Sequence, residues 1–246
     1  MAIPSFEPHD GALLIDKPPG PTSHDVVDRV RRRLKVKKVG HCGALDPNAT
    51  GLLVLVLGKA TRLSEKVMAT DKTYEGTLKL GETTDSYDAD GRIVATRPVP
   101  PVTVERLNEL AEEFTGDLLQ PPPMVSAAKV GGTPLYKLAR KGMEVERKPR
   151  LVHVYQFRFS DCRPPLADFL IKCSKGTYVR SIVHELGEKL GCGAHLAALR
   201  RTEVGPFKVE EATPLKEAAE MPPSELMGHI IPALEVVRLM GDYLKA

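Results

Sequence analysis

The residues of this chain best suited to chemistry lie in Gly40-His41-Cys42-Gly43-Ala44-Leu45-Asp46-Pro47-Asn48-Ala49-Thr50-Gly51, where a single carboxylate stands just ahead of the apolar run 52–57. A lone acid in so shaped a loop is a candidate catalyst. Pro47 fixes its own φ and biases Asp46 away from the helical region, while Gly43 and Gly51 permit backbone that a Cβ would obstruct. The same residues also suit an Asx-Pro turn entering a strand, and the loop alone does not choose between the two readings.

Other reactive residue types are scattered. Tyr74 in TYEGTLKLG alternates with Leu78 and Leu80, the spacing of a strand face, and reads first as core. Arg180 in SKGTYVR falls at a predicted helix start, and a solvent-facing cation there would sit at the unfavourable end of the macrodipole, a mild cost. Asp85, Asp88, Asp90 and Gly91 superficially suggest a calcium loop but lack a glutamate at the twelfth position, so an ordinary turn and no metal is expected. No nucleotide-binding glycine motif follows a strand, and no cofactor is expected.

The elements that must position these residues can be read from the periodicity. Residues 13–15 form a short strand; Ser23 caps a helix with Val26, Val27, Val30 and Leu34 inward; residues 52–57 form a strand, followed by a turn at Gly58 and a helical stretch. The segment VTVERLNELAEEFTG reads as a helix with Thr103 as cap, Val104, Leu107, Leu110, Ala111 and Phe114 inward, and Gly116 as stop. Residues 121–150 form a Gly-, Pro- and Lys/Arg-rich excursion. Two strands, 151–159 and 167–173, precede a helix with Val179, Ile182, Val183, Leu186 and Leu190 inward. A helical tail covers about 214–246.

The 246 residues are 42% hydrophobic and 27% charged, enough chain for a sizeable core. With no apolar run of the roughly 18 to 20 residues that cross a bilayer and no signal-like N-terminus, a cytoplasmic location is expected. Cys42, Cys162, Cys173 and Cys192 form no C-x-x-C pair and read as free thiols. Net charge is only +3, yet Lys and Arg cluster at 29–38, 140–150 and 200–201, which points to nucleic acid.

Taken in order, KPPGPTS (17–23), GHCGALDPNATGLL (40–53), DKTYEG, TDSYDADG, CSKGTYVRSIVHELGEKLGCGAH and LRR resemble the signature motifs of bacterial TruB-type tRNA pseudouridine synthases, a resemblance running from about residue 13 to 210. It implies an α/β fold with a mixed, largely antiparallel sheet flanked by helices, in one catalytic domain over 1–246. It further implies a thumb-like insertion at 121–150 that grips the T arm. The activity implied is conversion of uridine-55 in the T loop of tRNA to pseudouridine, by base flipping and without cofactor, guide RNA or protein partner, in a monomer. Asp46 matches the catalytic aspartate, Arg180 its cation partner, and Tyr74 the ring that stacks on the target base. His41, Tyr178 and Leu199 match substrate-contacting residues; Lys17 and Asp88 match supporting ones, Asp88 by holding Arg180. The family commonly adds a C-terminal RNA-binding domain of the PUA type, for which too few residues follow here. Two other readings are a guide-dependent, dyskerin-like synthase and a non-catalytic tRNA-binding or tRNA-folding module.

Overall fold

The apolar run that follows the Asp46 loop becomes the strand Thr50–Leu57, and its alternating side chains explain why it is apolar throughout. Paired antiparallel with Gly11–Lys17, Ile15 opposite Leu53, it sends Leu53, Leu55 and Leu57 to one face, where they meet Val26, Val27 and Val30 of the helix Ser23–Leu34. Leu52, Val54 and Val56 go to the other face, against Val204, Phe207, Val236 and Met240. Both faces are buried, so no polar residue is tolerated between them; each fully buried Leu or Val contributes roughly 1.5–3 kcal/mol.

The structure is a computed structural model that describes residues 6–126 and 128–245. Residues 1–5 of the N-terminus, Ala127 of the excursion and Ala246 of the tail lie outside the described residues. The chain divides into two compact units, Met1–Tyr74 with Arg200–Ala246, and Glu75–Leu199.

In the first unit, Thr50–Leu57 also pairs with Val39–His41, antiparallel, and its first residues run parallel to Arg200 and Arg201. The strand Gly11–Lys17 is flanked by short strands Thr213–Pro214 and Ile231–Pro232. The C-terminal segment carries the helices Leu215–Glu220, Pro223–Gly228 and Ala233–Tyr243, with Ile231–Pro232 as a short strand between the last two. One expectation is corrected: Thr22, not Ser23, caps the first helix. Thr22 Oγ1 accepts from the Asp25 backbone while the Asp25 carboxylate accepts from the Thr22 backbone, a reciprocal box that frees Ser23 to point inward.

In the second unit the strands run in the order Lys72–Leu80 (from Glu75 on), Leu166–Cys173, Arg150–Arg163, Gly116–Gln120, the last two pairings antiparallel. The helix Val104–Glu112 is capped by Thr103 as expected, but it stops before Gly116, which instead opens the next strand at φ +95°. The helix Val179–Leu190 buries Val179, Ile182, Val183 and Leu186. The class is α/β, with a mixed, largely antiparallel sheet and flanking helices. Among the described residues no helix is long and apolar enough to cross a membrane.

Candidate active site

The Asp46 loop is held from beneath by three buried side chains of its own unit. Lys17, fully buried, donates Nζ to the carbonyls of Pro47 (2.7 Å) and Pro18 (2.9 Å), so the residue after Asp46 is tied to the end of the first strand. Ser23 Oγ accepts from the Leu45 backbone N–H (2.8 Å) and donates to the Leu45 carbonyl (3.1 Å), tying the residue before it. Arg201, 1% exposed, donates to the carbonyls of Gly43 (3.0 Å) and Leu52 (2.8 Å), one on each side of the loop. Gly51 is required by the same packing: at φ +94° a Cβ there would lie 2.3 Å from the Arg201 carbonyl oxygen. The result is a fixed base with Asp46 itself exposed at the tip.

Arg201 is therefore a correction to the charge reading, which grouped it with surface cations for RNA. A guanidinium this buried contacts no phosphate; it donates instead to backbone carbonyls of the loop and of the strand that follows it. Its neighbour Arg200 behaves differently, pairing bidentately with Asp16 at 2.7 and 3.0 Å while 40% exposed.

Burial sets the charges around the loop. It lowers the Lys17 ammonium from 10.5 to about 8, with the Asp46 carboxylate pulling the value back up and Arg201 pushing it down. His41 is held below its usual range by burial, then by Arg201 and His24, and its buried Nδ1 has no hydrogen-bond partner among the described residues. Cys42 is pushed up to about 12 by burial and is no competing nucleophile. Tyr74 is half-buried at the start of its strand.

The Lys17 shift makes a prediction with a definite sign. Because native Lys17 releases its proton near pH 8 and unfolded lysine near 10.5, the native state binds fewer protons between those values. Stability contributed by Lys17 therefore rises with pH across that window, by up to about 1.4 kcal/mol per unit. Urea unfolding of wild type and Lys17→Met at pH 7.5 to 10 should show this slope in wild type only; parallel profiles would contradict it.

The second unit brings together two more of the expected residues. Arg180, 5% exposed at the start of its helix, donates Nη1 to Asp88 Oδ2 (3.0 Å) and the Ser86 carbonyl (3.0 Å), and Nη2 to the Val125 carbonyl (2.9 Å). Asp88 is fixed in turn by the Ser86 hydroxyl and the Asp90 backbone N–H. The acidic turn is thus a holder for a guanidinium, and no cluster of metal-ligating residues occurs among the described residues.

Tyr178 precedes that helix, half-buried, its backbone clamped by the Gln120 side chain: Oε1 accepts from Tyr178 N–H (2.7 Å) and Nε2 donates to its carbonyl (3.1 Å). Leu199 is half-buried near the end of the unit. In the excursion, a cleft of about 400 Å³ is lined by Pro122, Ala128, Val130 and Leu135 together with Lys129, Arg147, Lys148, Arg150 and one acid, Glu146.

Two family models match the chain in adjoining stretches: the N-terminal domain of TruB family pseudouridylate synthases over residues 31–179, and the tRNA pseudouridylate synthase B C-terminal domain over 180–236. The chain belongs to the TruB family. The tRNA pseudouridine synthase B of Opitutus terrae is 52% identical over 226 residues, which are 92% of this chain and 94% of the relative. That of Syntrophotalea carbinolica is 46% identical, over 93% of this chain and 75% of the relative. Among solved structures, a chain of a Cbf5-Nop10-Gar1 complex superposes with TM-score 0.74 at 29% identity, covering 94% of this chain but 63% of that one.

Four residues escaped sequence reasoning in the contacts the structure gives them: Ser23, Gln120, Arg201 and His184. Ser23 had the signature of a cap and Arg201 that of a surface cation. Gln120 and His184 carried no local signal, because their partners lie 58 and 97 positions away in sequence.

Proposed function

We propose that the protein converts uridine-55 in the T loop of tRNA to pseudouridine, acting in the cytoplasm as a monomer without guide RNA or cofactor. The observation that carries this reading is the exposed Asp46 on a loop fixed by Lys17, Ser23 and Arg201, in a chain 52% identical to a tRNA pseudouridine synthase B over 92% of its length. The N1–C1′ bond breaks, the uracil turns, C5 bonds to C1′, C5 loses its proton and N1 gains one, so the change is an isomerisation. Asp46 acts as nucleophile or base at the flipped nucleotide. Arg180, held by Asp88, is its compensating cation; Tyr74 stacks on the base, Tyr178 and Leu199 line its pocket, and His41 fills the gap left in the T loop.

Purified protein alone, given unmodified T-arm RNA tritiated at uridine C5, should release tritium. A guide-dependent reading has one observation in its favour, the likeness to Cbf5 chains solved in complexes. Release without guide or partner would exclude it, and no release under those conditions would exclude the present reading.

Residues 121–150 are proposed to grip the RNA through the basic cleft described above. Affinity should then fall steeply with salt, since each phosphate contact releases about one counterion. Lys148→Ala with Arg150→Ala should flatten the slope of log affinity against log salt by about two. An unchanged slope would remove this segment from the interface.

A further inference from the structure

The chemistry assigned to Arg180 depends on a turn that is conformationally costly. Tyr87, between Ser86 and Asp88, adopts φ +68°, a left-handed conformation that side chains with a Cβ rarely take. Both of its neighbours hold Arg180, Ser86 through its carbonyl and Asp88 through its carboxylate. Any relaxation of Tyr87 would turn both acceptors away. Something must hold it there.

The holder is on the helix that carries Arg180. His184, four residues on and so on the same face, stacks flat on the Tyr87 ring, with centroids 3.9 Å apart and planes 13° from parallel. One helix face thus grips the turn at two points, by a guanidinium and by a ring. The turn is pinned from its other side by backbone bonds, Leu196 N–H to the Tyr87 carbonyl (2.9 Å) and Ala89 N–H to the Leu196 carbonyl (3.0 Å). Burial holds the His184 imidazole below its usual pKa, and its ring lies flat on the tyrosine.

We propose that the Tyr87–His184 stack is a positioning device for the reaction, locking the left-handed turn so that Ser86 and Asp88 present Arg180 in one orientation. It rests on the role given to Arg180 above. Neither ring needs to touch substrate.

The test compares His184→Ala, His184→Phe, Tyr87→Ala, Tyr87→Phe, Asp88→Asn and Arg180→Ala in single-turnover and steady-state tritium release. The alanine variants should lose roughly tenfold or more in kcat with KM for RNA within about twofold, as misplacement of a group acting in the transition state does. The phenylalanine variants, which keep a stacking ring, should recover to within about threefold of wild type. His184→Ala combined with Asp88→Asn should be little worse than Asp88→Asn alone, because both act through the same guanidinium. Amide exchange across residues 84–92 should accelerate in His184→Ala and not in His184→Phe, which reports the turn directly even where activity is lost for other reasons. Wild-type kcat in His184→Ala while Arg180→Ala is impaired would overturn the inference, as would fully multiplicative effects in the double variant. Wild-type kcat in Arg180→Ala would instead overturn the role of Arg180 itself, and the stack's catalytic role with it.

Discussion

Asp46→Asn should abolish pseudouridine formation, with kcat lower by about four orders of magnitude or more, while RNA affinity stays within about twofold. The substitution keeps shape and removes only the charge and the nucleophilic oxygen. Its structural cost should be small, because Asp46 is exposed and the loop is held through other groups: the carbonyls of Gly43, Pro47 and Leu52 and the backbone of Leu45. Melting temperature should therefore change by no more than a few degrees. The combination separates the candidate functions. A non-catalytic RNA-folding module would show no tritium release in either protein, and a loop with a purely structural aspartate would show release in both. If the variant retains wild-type turnover, the assignment of the catalytic carboxylate is wrong. One consequence concerns Lys17: removing the Asp46 charge removes the attraction that raises the Lys17 pKa, so its proton should leave at still lower pH in Asp46→Asn.

The strand and helix framework was legible in sequence where burial was uniform. The run at residues 52–57 announced a strand because both faces are covered, and the Val26, Val27, Val30 spacing announced the helix that covers one of them. Local competition limited the reading at Thr22 and Ser23, adjacent hydroxyls of which either could cap; only the position of Asp25 relative to Thr22 decides, through the reciprocal bond. Long-range polar bonds were legible only where a motif resemblance named both ends, as for Arg180 and Asp88. Arg200 and Arg201 look alike in sequence, and strand alternation puts one outward to Asp16 and the other inward under the loop. The Gln120 clamp on Tyr178 and the His184 stack on Tyr87 each depend on tertiary folding to bring together distant residues. The motifs carried identity of function and two of the supporting residues, Lys17 and Asp88; they did not carry Ser23, Gln120 or Arg201, whose bonds hold the loops in shape.

That distinction gives the second large prediction. Arg201→Met replaces a buried guanidinium with a shorter, unbranched side chain that has no donors, leaving the Gly43 and Leu52 carbonyls without their bonds from it. Charged hydrogen bonds to buried acceptors contribute on the order of 1.5–3 kcal/mol each, and part is recovered because the cation no longer has to be desolvated, so a net loss of about 3 kcal/mol is expected. Arg201→Lys should restore little, since a single ammonium cannot span acceptors on both sides of the loop as the planar fork does. Turnover in folded Arg201→Met should fall at least tenfold, because the loop that aims Asp46 loses one of its three ties. Binding provides the discriminating measurement: RNA affinity and its salt slope should match wild type, as Arg201 is 1% exposed and reaches no phosphate. A salt slope reduced by about one, with stability unchanged, would return Arg201 to the surface cations. The result expected instead, unstable and slow but undiminished in RNA affinity, would show that the basic pair at the end of this strand divides its work, Arg201 shaping the catalytic loop and Arg200 remaining at the surface with Asp16.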